Sequence, residues 1–296
     1  MDNSDSEPLG DRPTMKHDAV GRPKFGEISL SLHPSIVNWR VAWPGLWNLA
    51  TATGYCSAVI ARDQPPWIEV PDGARASTMQ LPVEVRKDES IYEETFSRLH
   101  PICRLAAQLD CRTAVLGIFP SSELPKNEQA ALLRRRLLEC VRILDQFSIR
   151  LALECVTPLH LRRENAYGFI WQFDEMLDFA LSVSPKAGLV IDSWHWHHAG
   201  ADPDAFMNIP NDHILDVHIA DAPDVPAEAI RDSERLLPGE GIINFNRFFG
   251  LLRDKSYSRD VAIEVFGRGL PQMRPEDAVR LAFEKTRSII QNIHMK

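Results

Sequence analysis

Residues 188–195 read GLVIDSWH, a nearly continuous apolar run that reaches a polar residue at Asp192. Three other runs in the second half of the chain share this pattern: LALE at 151–154, ILDVH at 214–218 and VAIE at 261–264. Strands covered on both faces lack the regular polar alternation of surface strands, and parallel sheets are built from such strands. The four runs therefore predict strands of a parallel sheet.

Similar apolar runs recur from residue 25 onward, and helical periodicity fills most of the gaps between them. The predicted strands cover residues 25–30, 57–61, 79–85, 113–118, 150–154, 188–192, 214–218 and 260–265. The predicted helices cover residues 92–109, 127–147, 170–183, 245–253 and 275–293. Residues 63–77 contain DQPPW and VPDG, which predict a loop.

Eight strand-then-helix units predict an α/β fold, a single (β/α)8 TIM barrel. The alternative is an open, doubly wound sheet, which normally carries a glycine-rich phosphate turn after its first strand. Here the first predicted strand leads into SLHPSIVNW at 31–39, which contains no glycine. The barrel is therefore the better interpretation.

The composition of the chain is that of an ordinary globular protein, with 296 residues, 44% of them hydrophobic and 25% charged. Residues 1–24 are polar and rich in Pro, Gly, Asp and Ser, which predicts a flexible N-terminal leader ahead of one barrel domain at 25–296. The leader lacks the apolar core of a secretion signal. The five cysteines are scattered without a CxxC pair, which favours a reducing, cytoplasmic location.

Charge and hydropathy exclude two classes of partner. The formal net charge is −8, whereas broad nucleic-acid binding needs a basic face. No apolar stretch approaches the roughly 18 residues that cross a bilayer, so we expect no membrane association. The run Arg134-Arg135-Arg136 is expected to be the solvated face of an outer helix. Because exposed barrel helices often pair, a homo-oligomer is also compatible with the sequence.

Four polar residues close the apolar runs of the second half: Glu154, Asp192, His218 and Glu264. Singly, each could be a helix cap or an ion-pair partner. In a barrel, however, the carboxyl ends of all strands open into one mouth, where the active sites of this fold lie. Three carboxylates gathered there would repel one another unless a cation joined them. We therefore predict that these four residues bind one divalent metal ion. The oxygen-rich set favours Mn2+, with Mg2+, Co2+ or Zn2+ as alternatives.

From about residue 25 to 293 the sequence resembles the xylose isomerase-like superfamily, which includes sugar isomerases, ketose 3-epimerases, inosose dehydratases and apurinic endonucleases. The four strand-end residues fall where that family binds one divalent metal. His195 completes a D-x-x-H motif with Asp192, and Asp221 completes an H-x-x-D pattern with His218. LPGEG at 237–241 is similar to the turn that precedes the family's last barrel unit.

The resemblance also implies which residues contact the substrate. His195 would contact it directly, and Arg231 or Arg235 would supply the arginine that epimerases place over substrate hydroxyls. Arg235 and Asp221 are therefore substrate-binding candidates. His33 directly follows the first predicted strand and is a further candidate by its position at the mouth.

The activity that the resemblance implies is a divalent-metal-dependent isomerase or epimerase acting on a keto-sugar or related polyol through a metal-stabilised enediolate. Glu154 and Glu264 would be catalytic as well as metal ligands, one removing a proton and the other returning it from the opposite face. A lyase or dehydratase of a keto-sugar or keto-cyclitol would use the same site, if a leaving hydroxyl lay β to that proton. A non-catalytic sugar-binding barrel subunit is the third alternative. In each case the partner is a small carbohydrate.

Two departures from the family pattern narrow this range. Family endonucleases hold three metals, with extra histidines on early strands and a D-x-H motif after the seventh strand. Here the early strands end in AVIARD, LPVEV and VLGIFP, and no D-x-H occurs between Asp221 and Glu264. One metal and a sugar substrate are therefore favoured over nucleic acid. Some epimerases carry a substrate-contacting glutamate where this chain has His160, and this difference argues against a simple ketose 3-epimerase.

Overall fold

Eight parallel strands close into a barrel in the computed structural model, which describes residues 28–294. Each barrel strand pairs in parallel with the next strand along the chain, and the last pairs with the first. The barrel strands are β1 (Leu30–Leu32), β2 (Ser57–Ile60), β3 (Ala76–Gln80), β4 (Thr113–Ile118), β5 (Arg150–Cys155), β6 (Gly188–Asp192), β7 (Ile214–Ile219) and β8 (Val261–Ile263). The predicted single (β/α)8 barrel is confirmed. The predicted leader at 1–24 lies outside the described residues.

Helices occupy most of the connections between the barrel strands. They are α1 (Gly45–Thr53), α2 (Glu89–Phe96), α3 (Leu99–Gln108), α4 (Lys126–Gln146), α5 (Leu159–Arg162), α6 (Phe173–Val183), α7 (Ser193–His198), α8 (Pro203–Met207), α9 (Phe245–Asp254) and α10 (Pro275–His294). Residues 61–75 join β2 to β3 without a helix, as the loop prediction expected. Two short strands, Ser121–Ser122 and Tyr167–Gly168, pair antiparallel outside the barrel. Across residues 28–294, none of the helices combines the length and apolarity needed to traverse a bilayer.

Several predicted elements have different bounds in the structure. In the described region β1 covers Leu30–Leu32 rather than 25–30. The third strand covers Ala76–Gln80 rather than 79–85, so it begins inside the predicted loop 63–77. It ends before Pro82, which has no amide hydrogen to donate to a neighbouring strand. The predicted helix 92–109 is divided into α2 and α3. Pro101 explains the division, since its ring would clash with the carbonyl of residue 97 in a continuous helix.

The interior of the barrel is apolar below the carboxyl ends of its central strands. Val115, Ala152, Val190 and Leu215 form a buried cluster separate from the larger core. Ala152 and Val190 lie two residues before Glu154 and Asp192, so their side chains share the inward face of β5 and β6 with those carboxylates. This layer forms an apolar floor under the mouth of the barrel.

Candidate metal centre

The structure brings together the four strand-end residues that the sequence singled out as metal ligands. One ligand atom from each of Glu154, Asp192, His218 and Glu264 lies within 4.8 Å of the others, and all four residues are buried. The strand register explains this convergence: Asp192 on β6 pairs with His218 on β7, and Glu264 directly follows β8, the next strand. The carboxyl ends of β5 to β8 therefore supply one ligand set.

The chemistry of this donor set fits a single divalent cation. Oε1 of Glu154 is buried and accepts no hydrogen bond of good geometry from the described residues, although Nδ1 of His218 lies 3.3 Å away. Leaving a carboxylate oxygen buried and unsatisfied costs free energy, which a cation at this point would recover. Three carboxylates and one imidazole are also ligands that hard divalent ions prefer.

His218 lies between carboxylates on both edges of its ring. Its Nδ1 is 3.2 Å from Oε2 of Glu264, and its Nε2 is 3.0 Å from Oδ2 of Asp216. Burial alone would lower the pKa of His218, but the nearby charges of Glu264 and Asp216 raise it well above its usual value. Nδ1 of the imidazole therefore faces Glu154 and Glu264, and Nε2 faces Asp216.

The two glutamates have pKa values displaced in opposite directions. Burial, reinforced by the charge of Glu264, raises the pKa of Glu154 to about 7. Burial would also raise the pKa of Glu264, but His33, His218 and Arg235 outweigh it and hold that pKa well below its usual value. Environments that separate the pKa values of two neighbouring carboxyls are typical of an acid–base pair.

Arg235 reaches the ligand cluster, whereas Arg231 does not. Nη1 of Arg235 lies 2.6 Å from Oδ2 of Asp192 and 3.1 Å from Oε2 of Glu264. Its Nη2 is 3.0 Å from Oδ1 of Asp232. Arg231 instead donates to backbone carbonyls in its own loop. Of the two arginines left open by the sequence, Arg235 is thus the one placed for the site.

Two histidines flank the cluster. Nε2 of His195 lies 3.2 Å from Nη2 of Arg235, and Oγ1 of Thr157 donates to the backbone carbonyl of His195. Nε2 of His33 lies 3.3 Å from Oε1 of Glu264, and Ser35 contacts its Nδ1. Burial lowers the pKa of His195 well below its usual value and that of His33 to about 3. Both rings are therefore neutral near physiological pH.

The carboxylate of Asp221 accepts its hydrogen bonds from the LPGEG turn and the residues around it. One carboxylate oxygen accepts from the backbone amides of Gly239 and Gly241, and the other accepts from those of Ile243 and Ala222. A Cβ at Gly241 would collide with the carbonyl oxygen of Ala222, so the close approach requires glycine. Asp221 therefore fixes this turn, and its expected contact with substrate stays a prediction.

Three residues near the site were missed by the sequence interpretation. Asp232 pairs with Arg235, Thr157 supports His195, and Asp216 contacts His218. Asp216 had a usable signal, because residues two apart on a strand face the same side and it lies two before His218. The other two depend on loop conformation, which strand periodicity does not report.

Comparisons with known proteins agree with this architecture. A family model described as the xylose isomerase-like TIM barrel matches residues 77–289. An inosose isomerase from Halalkalibacterium halodurans is 24% identical over 205 residues, which cover 69% of this chain and 71% of that protein. A 3-dehydroshikimate dehydratase from Pseudomonas putida is 29% identical over 110 residues, which cover 36% of this chain and 16% of that protein.

Solved structures share the same fold over most of the chain. A xylose isomerase domain protein from Alicyclobacillus acidocaldarius superposes with a TM-score of 0.78 and 25% identity, covering 91% of this chain and all of that one. The IolI protein, solved with a bound zinc atom, superposes with a TM-score of 0.75 and 19% identity, covering 90% of this chain and 99% of that one. The family model matches well over half of this chain, which therefore belongs to the xylose isomerase-like TIM barrel family.

Proposed function

We propose that this protein is a divalent-metal-dependent isomerase or epimerase of a keto-sugar or keto-cyclitol. The observation that carries the proposal is the buried set of four ligand atoms within 4.8 Å of one another, two of them on carboxyls with oppositely displaced pKa values. The similarity to an inosose isomerase supports a cyclic keto-polyol among the substrates to be tried first.

Glu154, Asp192, His218 and Glu264 would hold the ion, which when bound supplies Lewis-acid polarisation of a substrate carbonyl. Mn2+ is the ion we propose first, since the set is rich in oxygen. Zn2+ is the next to test, because the IolI structure contains it.

Glu154 and Glu264 carry the proton transfer in this proposal. Glu264 remains ionised because its pKa is held low, so it accepts the proton that leaves the substrate carbon. Glu154, the other carboxyl of the pair, exchanges protons with solvent and delivers one to the substrate carbon. In the reverse direction the two residues exchange roles. An isomerisation or epimerisation of this kind consumes no further reactant.

The neighbouring side chains orient the substrate. Arg235 presents a cation next to Asp192 and Glu264, where it can donate hydrogen bonds to substrate oxygens that gain negative charge. His195 is neutral, so its imidazole can hydrogen-bond a substrate hydroxyl without adding a second charge. His33 acts on Glu264, the carboxylate that it contacts, more directly than on substrate.

A dehydratase is the second candidate function, favoured by the local similarity to a 3-dehydroshikimate dehydratase. It would use the same proton acceptor and differ only in the substrate, which would lose a β-hydroxyl as water after the proton is removed. The mass of the product separates the two functions, because isomerisation conserves mass and dehydration does not.

The test is an assay of metal-loaded protein against a panel of inososes, ketohexoses and 3-dehydroshikimate in deuterated water. We expect conversion at constant carbon skeleton, with solvent deuterium at the exchanging carbon. Glu264→Gln and Glu154→Gln should each abolish conversion, whereas Glu94→Gln, an exposed substitution on α2, should not. Wild-type protein without bound metal, or Glu264→Gln with undiminished activity, would contradict the proposal.

A further inference from the structure

Asp216 lies directly behind the only imidazole of the predicted ligand set. It is 2% exposed and sits two residues before His218 on β7, so both side chains point into the barrel. Oδ2 of Asp216 is 3.0 Å from Nε2 of His218, and Oδ1 accepts a hydrogen bond from the amide of Val217 at 2.9 Å. Both of its oxygens are therefore engaged.

The surroundings make a carboxylate at this position costly. Asp216 pairs with Val190 across β6 and β7, and Val190 belongs to the apolar floor with Val115, Ala152 and Leu215. Moving a carboxylate into such a layer is unfavourable unless hydrogen bonds compensate for lost hydration, whereas an aliphatic side chain would fill the layer without that cost. A specific partner, His218, is what offsets the cost here.

The contact also selects which nitrogen of His218 faces the other ligands. A carboxylate accepts hydrogen bonds, and Asp216 lies outside the candidate ligand set, so Nε2 keeps its hydrogen toward Asp216 when an ion among the other ligands displaces the hydrogen of Nδ1. The ring is thereby turned with Nδ1 toward Glu154, 3.3 Å away, and Glu264, 3.2 Å away. Without Asp216, the ring could rotate about its side-chain torsions or present its other tautomer.

We infer that Asp216 is a positioning residue of the metal centre, which fixes His218 so that Nδ1 is the metal-binding nitrogen. The inference rests on the proposed function in one respect, namely that His218 binds a divalent ion. Carboxylates placed behind metal-bound histidines fix ring orientation and raise ligand basicity, and their loss typically weakens metal binding about 10- to 100-fold.

The test compares metal affinity in purified protein, without substrate, among wild type, Asp216→Asn and Asp216→Val. Affinity for Zn2+ and Mn2+ is measured by competition with a chelator, and unfolding of the metal-free proteins is followed in parallel. Asp260→Asn is the matched control, because Asp260 is another buried aspartate inside the fold, and its carboxylate bonds Ser57 and Arg75 instead of a ligand.

We expect Asp216→Asn to bind metal about 10-fold more weakly than wild type and Asp216→Val about 100-fold more weakly. Asp260→Asn should stay within about twofold of wild type, since outer-shell effects require contact with a ligand. In zinc-loaded wild type labelled with 15N-histidine, NMR should assign the proton of His218 to Nε2 and the metal to Nδ1. In Asp216→Val this single assignment should be lost.

Two results separate the failure of this inference from that of the proposed function. If wild type binds metal while both Asp216 variants match its affinity and only unfold more readily, Asp216 is merely structural and the inference is overturned. If wild type binds neither ion, the metal centre itself fails and the inference fails with it. Should Asp216→Val not fold, the affinity of the nearly isosteric Asp216→Asn decides by the same criterion.

Discussion

Two chemically similar carboxyls, Glu154 and Glu264, differ at the residue scale because their neighbours differ. Glu264 lies 3.3 Å from His33, 3.2 Å from His218 and 3.1 Å from Arg235, so its negative charge is stabilised from three sides. Glu154 has only His218 among these partners, together with the charge of Glu264, and burial dominates its pKa. Glu264 is thus kept ionised, while Glu154 has a pKa of about 7.

This arrangement predicts that metal affinity rises with pH. Below its pKa of about 7, Glu154 holds a proton that a metal must displace, so affinity falls as pH falls through that value. His218, with its pKa raised well above the usual value, must also release a proton, and this steepens the dependence. We expect affinity at least tenfold weaker at about pH 6 than at about pH 8.

Isothermal titration in two buffers of different ionisation enthalpy checks this prediction, since it counts the protons released on binding. Release of about one proton or more near neutral pH is expected. Glu264 contributes little in this window because its pKa is already low. A metal affinity that stays constant across the range, with no proton release, would contradict the raised pKa values of Glu154 and His218.

Asp221 gives a second prediction at the residue scale, concerning stability. Asp221→Ala removes the acceptor of four backbone amides and should lower the free energy of unfolding by about 3 kcal/mol or more. Asp221→Asn should also destabilise, because its NH2 group would face amide donors. Thermal unfolding should show a decrease of roughly 6–12 °C for Asp221→Ala. Asp212→Asn, at an exposed side chain, is the control and should leave the unfolding midpoint unchanged. Equal midpoints for Asp221→Ala, Asp221→Asn and Asp212→Asn would refute the conclusion that Asp221 fixes the turn.

At the scale of elements, the sequence predicted what depends on local periodicity. Strand β6 has the predicted bounds 188–192, and β4 has the predicted bounds 113–118. Local covalent chemistry changed other elements, since Pro82 ends β3 early and Pro101 divides α2 from α3. Both prolines are visible in the sequence, but the apolar pattern extends across them and predicts longer elements.

The candidate metal ligands could be selected from the sequence, but the contacts between the side chains of the site could not. A polar residue at the end of an apolar strand is a local signal, so Glu154, Asp192, His218 and Glu264 could be selected without a structure. The contact between Arg235 and Asp192 joins residues 43 apart through an irregular loop. No periodicity encodes such a contact, and none reports the turn whose backbone amides donate to Asp221.

Arg136 gives the prediction for helix α4. The sequence interpretation placed Arg134–Arg136 on a solvated face, and this is wrong for Arg136, which is 2% exposed. Its guanidinium donates to the carbonyls of Val85 and Lys87 and to Glu89, which ties α4 to the β3–α2 connection. Arg136→Met should therefore lower the free energy of unfolding by about 2–3 kcal/mol, because it leaves these acceptors without donors.

The matched control is Arg135→Met. The side chain of Arg135 is 54% exposed and pairs with Glu89 at the surface. Surface pairs of this kind contribute little, so a change within about 0.5 kcal/mol is expected. Denaturant titration measures both values. Equal destabilisation by the two substitutions would mean that burial of Arg136 does not decide its contribution.

At the scale of the whole molecule, the ligand set joins four consecutive barrel units. Glu154, Asp192 and His218 lie on β5, β6 and β7, and Glu264 follows β8, which itself pairs with β1 to close the barrel. Arg235 places its guanidinium among these carboxylates, in contact with Asp192 and Glu264. The same residues that support the proposed chemistry therefore also link the second half of the barrel.

This connectivity predicts that metal stabilises the entire fold rather than one loop. A ligand that binds the native state alone adds about 2.7 kcal/mol at 100 times its dissociation constant, which corresponds to roughly 5–10 °C in the unfolding midpoint of a domain of this size. Calorimetry with rising Mn2+ or Zn2+ should show one transition that moves upward as a unit. Glu264→Gln should lose most of this shift and Glu94→Gln should keep it. An equal shift in Glu264→Gln would mean that the ion binds elsewhere, because a site built across β5 to β8 cannot lose a buried ligand without losing native-state affinity.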